Sequence, residues 1–129
     1  MKKKVLIVVS DYYEDISKGL LKSTKKYLNK KASLNIIKVP GVFEIPVTIS
    51  KNLKKFDAFL ALGCVIKGQT PHFDFISQAS TNAIMDISVS QKKPVGNGII
   101  TCLNMNQAKA RKSKGAEAAN AVISILSQK

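Results

Sequence analysis

Short apolar runs alternate along this chain with segments of helical periodicity. The runs at 5–9, 34–39, 57–66 and 94–100 contain the Val, Ile and Leu residues typical of strands that are buried on both faces of a sheet. Two glycines in the fourth run are expected to weaken that strand. Because parallel neighbours in a sheet are joined by crossover helices, the alternation predicts an α/β fold with a four-stranded parallel sheet between two helical layers.

Helical patterns follow each strand. Apolar residues recur at helical spacing over 16–28, opposite a face of lysines, and Pro46 suits the first turn of a second helix. A longer helix follows the polar loop at 67–71. Two more helices are predicted around 104–111 and 116–126, and no internal repeat or linker interrupts the chain.

Lysine dominates the charge of the chain. Lys and Arg total 21 against 8 Asp and Glu, the net charge is +13, and Arg111 is the single arginine. Recognition of bases and phosphates in nucleic acids favours the planar fork of arginine, and the sequence contains no Trp and no nucleic-acid-binding motif. We therefore expect no nucleic-acid partner and interpret the positive charge as attracting small anionic substrates.

The sequence predicts one cytoplasmic domain, 1–129, without a membrane partner. No apolar run approaches the roughly 20 residues that span a bilayer. The run at 5–9 is too short for a signal peptide, and Asp11, Glu14 and Asp15 follow it where a cleavage site would lie.

Cysteine and histidine are scarce. Cys64 and Cys102 are the only cysteines, and two cysteines in a cytosolic chain are more often reduced core residues than a disulfide. His72 is the only histidine, and its spacing from the cysteines matches no familiar ligand set, so no metal is expected.

Candidate functional residues lie in the connections that follow the strands, because ligands of parallel sheets bind beyond the carboxyl ends of the strands. The segments to consider are 10–15, 40–46, 64–72 and 97–104. His72 closes the loop after the most apolar strand, and an imidazole with a pKa of about 6.5 suits proton transfer near neutral pH. The alternative is an ordinary surface or hydrogen-bonded core histidine.

The loop before His72 is a candidate phosphate site. Gly68, Gln69 and Thr70 precede a helix whose first-turn N–H groups are free and whose dipole favours an anion. The segment does not match a nucleotide-binding phosphate loop, because Gln69 stands where that pattern requires lysine. The alternative is a simple turn in which Thr70 caps the helix.

Other side chains near these connections also have two interpretations. Glu44 is either an acceptor for a polar ligand or a carboxylate that complements a helix dipole. Tyr12 or Tyr13 offers a flat face to a planar ligand or simply packs at an edge. Arg111 is either a bidentate phosphate ligand or a surface charge.

Two long segments, VPGVFEIP at 39–46 and ALGCVIKGQTPHFDF at 61–75, resemble the lumazine synthase family, with KGAEAA at 114–119 as a third block. The resemblance implies a flavodoxin-like three-layer α/β/α sandwich. It implies a transferase that condenses 5-amino-6-(D-ribitylamino)uracil with 3,4-dihydroxybutan-2-one 4-phosphate in the penultimate step of riboflavin biosynthesis. It further implies no cofactor, and active sites between the subunits of a homopentamer.

The same resemblance implies a role for each candidate residue. His72 transfers protons, and Lys114 matches a further lysine in a later loop of the family. Gln69, Thr70 and Arg111 match the phosphate site. The pyrimidine ring and ribityl chain are bound by Tyr12, Val42, Phe43, Glu44, Cys64, Val65, Ile66 and Asn97.

The chain departs from the family pattern at several places. Tyr12 and Tyr13 replace a Phe-Asn or Trp-Asn pair, Asn97 replaces an aromatic residue, and the loop between Arg111 and Lys114 is shorter. A different class of function, a non-catalytic flavodoxin-like module for a phosphorylated ligand such as flavin mononucleotide, stays open at this point. Such a module would have no need of a carboxylate and an imidazole facing one pocket.

Overall fold

A four-stranded parallel sheet forms the centre of the molecule. The computed structural model describes residues 2–128. The strand order is β2-β1-β3-β4 and every neighbouring pair is parallel, which confirms the predicted α/β fold. In chain order the elements are β1 (Lys4–Ser10), α1 (Glu14–Leu28), β2 (Ser33–Val39), α2 (Ile45–Lys51), β3 (Ala58–Ile66), α3 (His72–Gln91), β4 (Val95–Cys102), α4 (Met105–Ala110) and α5 (Lys114–Leu126).

The two faces of the sheet bury two separate apolar cores. Side chains alternate between the faces along a strand. Val5, Ile7 and Val9 therefore pack with α1, α4 and α5, while Leu6 and Val8 pack with α2 and α3. All five side chains are at most 2% exposed, as predicted for a strand covered on both sides. Helices on both faces complete the three-layer sandwich.

Gly96 lets α5 lie close against β4, and Gly98 leaves room for a side chain of the neighbouring strand β3. A Cβ atom at position 96 would come within 2.7 Å of the carbonyl oxygen of Ala118, and one at position 98 within 2.5 Å of Leu62 Cδ2. The strand pairs with β3 along its full length despite both glycines. The glycine at position 96 is thus explained by the close packing of a helix on the strand, and the glycine at position 98 by the packing of Leu62 from β3.

Two helix starts differ from the sequence-based expectation. The last helix begins at Lys114 rather than around 116. Thr70 does not cap α3, since the helix begins at His72 with Pro71 in the N-cap position and without a side-chain capping bond. Within the described part of the chain, no helix is both long enough and apolar enough to cross a bilayer.

Candidate functional site

A crevice of about 730 Å³ opens at the carboxyl ends of β1 and β3. This is the edge of the sheet at which the sequence predicts a ligand site. Its walls come from the connections after β1, β2 and β3 and from the first turns of α3. The lining residues are Tyr12, Tyr13, Pro40, Gly41, Val42, Phe43, Glu44, Cys64, Val65, Ile66, His72 and Ile76.

A single turn of 3-10 helix, Val42–Glu44, lies directly on β3 and forms one wall. Gly63 makes this contact possible, because a Cβ atom there would come within 2.7 Å of Val42 Cγ2 and 3.2 Å of Ser10 Cβ. Val42 is buried, whereas Phe43 is 62% exposed. The turn is therefore anchored through Val42 and leaves the Phe43 ring accessible to a ligand.

Glu44 places a carboxylate at the N-terminus of α2. Its backbone N–H donates to the carbonyl oxygen of Gly41 (3.2 Å), and its own carbonyl oxygen accepts from Thr48 Oγ1 (2.8 Å). A Cβ atom at position 41 would lie 3.1 Å from Glu44 Oε1, so the glycine leaves room for the carboxylate. No side-chain hydrogen bond or ion pair within residues 2–128 uses this carboxylate. Both oxygens are free to accept donors from a ligand.

Tyr12 and Tyr13 form an aromatic pair at the mouth of the crevice. Their ring centroids lie 4.9 Å apart in an edge-to-face arrangement with an interplanar angle of 81°. Tyr12 is 73% exposed, whereas Tyr13 packs partly against the core. Burial, with smaller contributions from Tyr12 and Cys64, raises the pKa of Tyr13. Its hydroxyl therefore stays protonated at neutral pH and can donate a hydrogen bond.

Cys64 contributes a buried thiol to the floor of the crevice. Cys64 and Cys102 are both buried, which confirms the expected core position of the two cysteines. Burial, together with the neighbouring Cys102 thiol, raises the pKa of Cys64 to about 12. A thiol with this pKa is protonated at neutral pH and is a poor nucleophile. Cys64 therefore presents a neutral thiol to the crevice rather than a nucleophile.

His72 is the first residue of α3 and lines the crevice with an exposed side chain. Ile76, one helical turn later, lines the same wall. Gln69 and Thr70 lie in the exposed loop just before the helix and do not line the crevice. The structure thus brings His72 and Glu44 to one cavity and leaves the two candidate phosphate ligands beside it.

Besides Gln69 and Thr70, three sequence-predicted residues lie outside the crevice of their own chain. Asn97 is exposed on β4, an outer strand of the sheet, where its Oδ1 accepts from the N–H of Ile99 (3.1 Å). Arg111 is exposed at the C-terminal end of α4, and Lys114 is half-buried in the first turn of α5. None of the three lines the cavity formed by this chain alone.

Several lining residues were not singled out from the sequence. Tyr13 was one of two alternatives with Tyr12, and the structure places both in the crevice. Ile76 could have been found from its spacing of one helical turn from His72. Pro40 and Gly41 indicated only a turn that separates a predicted strand from the next helix.

The chemical character of the crevice is mixed. Apolar and aromatic side chains form most of its walls, while a free carboxylate and an imidazole supply the ionisable groups. Such a cavity suits a flat, polar molecule that is held by stacking, hydrogen bonds and one charge. Within residues 2–128, no three His, Cys, Asp or Glu side chains come together as a set of metal ligands.

Known proteins similar to this chain share one description. The family model described as 6,7-dimethyl-8-ribityllumazine synthase matches residues 2–129. A protein of that name from Agrobacterium fabrum is 40% identical over 99% of this chain and 95% of its own length. Another from Bartonella tribocorum is 42% identical over 100% of this chain and 93% of its own length. The 6,7-dimethyl-8-ribityllumazine synthase 1 of Rhodopseudomonas palustris is 40% identical over 95% of this chain and 83% of its own length.

Proposed function

The chain belongs to the 6,7-dimethyl-8-ribityllumazine synthase family, and we propose that the crevice at the carboxyl edge of the sheet is its active site. The reaction is a transferase step of riboflavin biosynthesis. It condenses 5-amino-6-(D-ribitylamino)uracil with 3,4-dihydroxybutan-2-one 4-phosphate to 6,7-dimethyl-8-ribityllumazine and releases phosphate. The observation that carries the proposal is that Tyr12, Glu44 and His72, from three separate connections, line one cavity.

The pyrimidine substrate fits the crevice by its shape and its donors. Its flat ring stacks on Tyr12, and its polar edge meets backbone groups at the end of β3, where Cys64, Val65 and Ile66 line the cavity. The ribityl hydroxyls extend along Val42 and Phe43 and donate to the free Glu44 carboxylate.

The chemistry requires positioning and proton transfer more than a protein nucleophile. The 5-amino group attacks the ketone and water leaves as an imine forms. Loss of a proton from the hydroxyl-bearing carbon then expels phosphate, and the enol that forms tautomerises to a new carbonyl. The ribitylamino nitrogen attacks this carbonyl with loss of a second water. The steps move protons among nitrogen, oxygen and carbon, and His72 carries them as a general acid and base. Holding both substrates in reacting geometry supplies much of the remaining acceleration.

The phosphate of the second substrate belongs at the N-terminus of α3. The first-turn N–H groups of this 20-residue helix are not used by a side-chain cap, and Gln69 and Thr70 lie immediately before it. Arg111 is exposed and has no carboxylate partner within residues 2–128. We assign it to the same phosphate in the site of a neighbouring protomer.

We propose that the active unit is a cytoplasmic homo-oligomer, a pentamer, with sites shared between protomers. The two free cysteines are in keeping with a reducing compartment. Three candidate site residues lie outside the crevice of their own chain, namely Asn97, Arg111 and Lys114. On α3, Phe75, Met85 and Val89 are each at least 60% exposed, an apolar surface that association would cover.

The decisive experiment is direct. Purified protein is mixed with both substrates, and the absorbance of the lumazine chromophore is followed against the substrates alone. We expect a rate far above the uncatalysed condensation, and a double variant carrying Glu44→Gln and His72→Ala should lose most of it. A rate equal to that of the substrates alone would overturn the proposal.

A further inference from the structure

A second concave site lies at the amino ends of the strands, opposite the crevice. It is a hollow of about 410 Å³ with an unusually uniform charge. Three separate segments supply its walls, namely the start of β1, the turn between α2 and β3, and the turn between α3 and β4. The lining residues are Lys2, Lys3, Lys4, Lys54, Lys55, Phe56, Asp57 and Lys93.

One lysine of the hollow is explained by the fold itself. Lys93 Nζ donates to the carbonyl oxygens of Leu53 and Phe56 (3.0 Å to the latter) and so holds the turn after α2. Lys31, at the same end of the sheet, similarly donates to the carbonyl oxygen of Tyr27 (3.1 Å). Lysines that bind carbonyl oxygens of a turn, as Lys93 does, or of the last turn of a helix, as Lys31 does, need no ligand to account for them.

The other five lysines of the hollow have no such explanation. Among residues 2–128, no ion pair or hydrogen bond uses the ammonium groups of Lys2, Lys3, Lys4, Lys54 and Lys55, which we call the amino-edge lysine patch. Asp57 is the only carboxylate that lines the hollow, and its Oδ2 already accepts from the backbone N–H of Lys4 (2.8 Å). A hollow of this volume is about 9 Å across. Physiological salt screens charges over about 8 Å, so it screens the five ammonium groups only in part and they repel one another.

The backbone beneath the patch is fixed. The carbonyl oxygen of Lys3 accepts from the N–H of Ser33 (2.8 Å), and that of Lys4 accepts from the N–H of Asp57 (2.8 Å). The turn on the other side is tied by the N–H of Lys55, which donates to the carbonyl oxygen of Asn52 (3.1 Å). Lys3, Lys4 and Lys55 therefore project from held segments, and a ligand would not have to order the backbone there.

We propose that the amino-edge lysine patch binds a small, multiply charged phosphate anion. Lysine binds phosphate as a point charge, and several ammonium groups around one hollow match an anion that carries several charges. The volume falls within the range of small-molecule sites, about 300–1,000 Å³. Nucleic acid fits less well, because the hollow contains no arginine and its one aromatic ring, Phe56, is half-buried and offers little stacking surface.

Tripolyphosphate is the probe, titrated calorimetrically into the whole protein at low salt. We expect the affinity for tripolyphosphate to fall as salt is added. The double variant Lys54→Gln with Lys55→Gln should bind about tenfold more weakly, because it loses two exposed charge contacts. The matched control removes two exposed charges from α1, Lys22→Gln with Lys25→Gln, and should change the affinity less than twofold. Tripolyphosphate that binds at the proposed active site is distinguished by Arg111→Gln, which should weaken that component of the isotherm and leave the component that the Lys54 and Lys55 substitutions weaken.

Two results would overturn the proposal. Equal weakening in the patch variant and the α1 control would show that only net charge matters. Tighter binding of an oligonucleotide than of tripolyphosphate, lost in the patch variant, would be the second such result. It would show that the partner is a nucleic acid.

Discussion

Glu44 and His72 face the same crevice, although one follows β2 at the start of α2 and the other follows β3 at the start of α3. Each therefore lies at the N-terminus of a helix that begins at the carboxyl edge of the sheet. A carboxylate and an imidazole in one largely apolar cavity can bind a polyhydroxylated substrate and move its protons. A passive binding module has no use for that pair, and the membership of this chain in a family of synthases agrees with a catalyst.

His72→Ala should slow turnover without abolishing it. A general acid–base residue contributes about 10²–10⁴-fold, while positioning of the substrates survives the change. The measurement is kcat with both substrates saturating, and Lys22→Ala, at an exposed position of α1, is the control. Full kcat in His72→Ala would remove the proton-transfer role.

Glu44→Gln should act on substrate binding. The amide keeps the shape of the side chain but loses the charge that strengthens hydrogen bonds from hydroxyl donors, so kcat/KM for the pyrimidine substrate should fall roughly 10–100-fold. Glu117→Gln, at an exposed position of α5, removes a charge away from the crevice and should have no effect. Unchanged kcat/KM in Glu44→Gln would mean that the carboxylate only complements the dipole of α2.

The sequence was sufficient for the framework of this site. The short apolar runs and their content of Val, Ile and Leu located all four strands. The rule that ligands bind beyond the carboxyl ends of parallel strands then selected the connections that carry Tyr12, Glu44 and His72. The reason for Gly96 and Gly98 could not be read from the sequence, because it depends on how closely α5 and a side chain of β3 approach the strand. The proposed roles of Asn97 and Arg111 depend on a neighbouring protomer, because both side chains lie outside the crevice of their own chain.

Gly63→Ala should destabilise the protein by about 1–3 kcal/mol, because the added methyl group would overlap Val42 Cγ2 at 2.7 Å in a packed region. Gly68→Ala is the matched control, since a Cβ atom there would meet nothing within 4 Å. The free energy of unfolding from denaturant titration checks both variants. If the two substitutions cost the same, the contact between the 3-10 turn and β3 does not hold the wall of the crevice in place.

Cys64 should resist alkylation at neutral pH. A pKa of about 12 leaves very little thiolate, whereas the thiol of the unfolded chain ionises at a lower pH. Because the folded state favours the neutral thiol, this group stabilises the fold below its unfolded pKa and loses that contribution as the pH rises toward about 12. Peptide mapping after iodoacetamide treatment should show labelling of Cys64 that rises steeply only in alkaline solution. Rapid labelling of the folded chain at neutral pH would contradict the assignment.

Mixing two impaired chains tests whether the active site is shared. If His72 works with Arg111 of a neighbouring protomer, a chain carrying Arg111→Gln still contributes a good His72, and a chain carrying His72→Ala still contributes a good Arg111. In a ring assembled at random from equal amounts of both, about a quarter of the sites regain both residues. Co-refolded mixtures should therefore exceed the mean kcat of the separate variants by a large factor. If both residues acted within one chain, every site in the mixture would lack one of them, and the activity would stay at that mean.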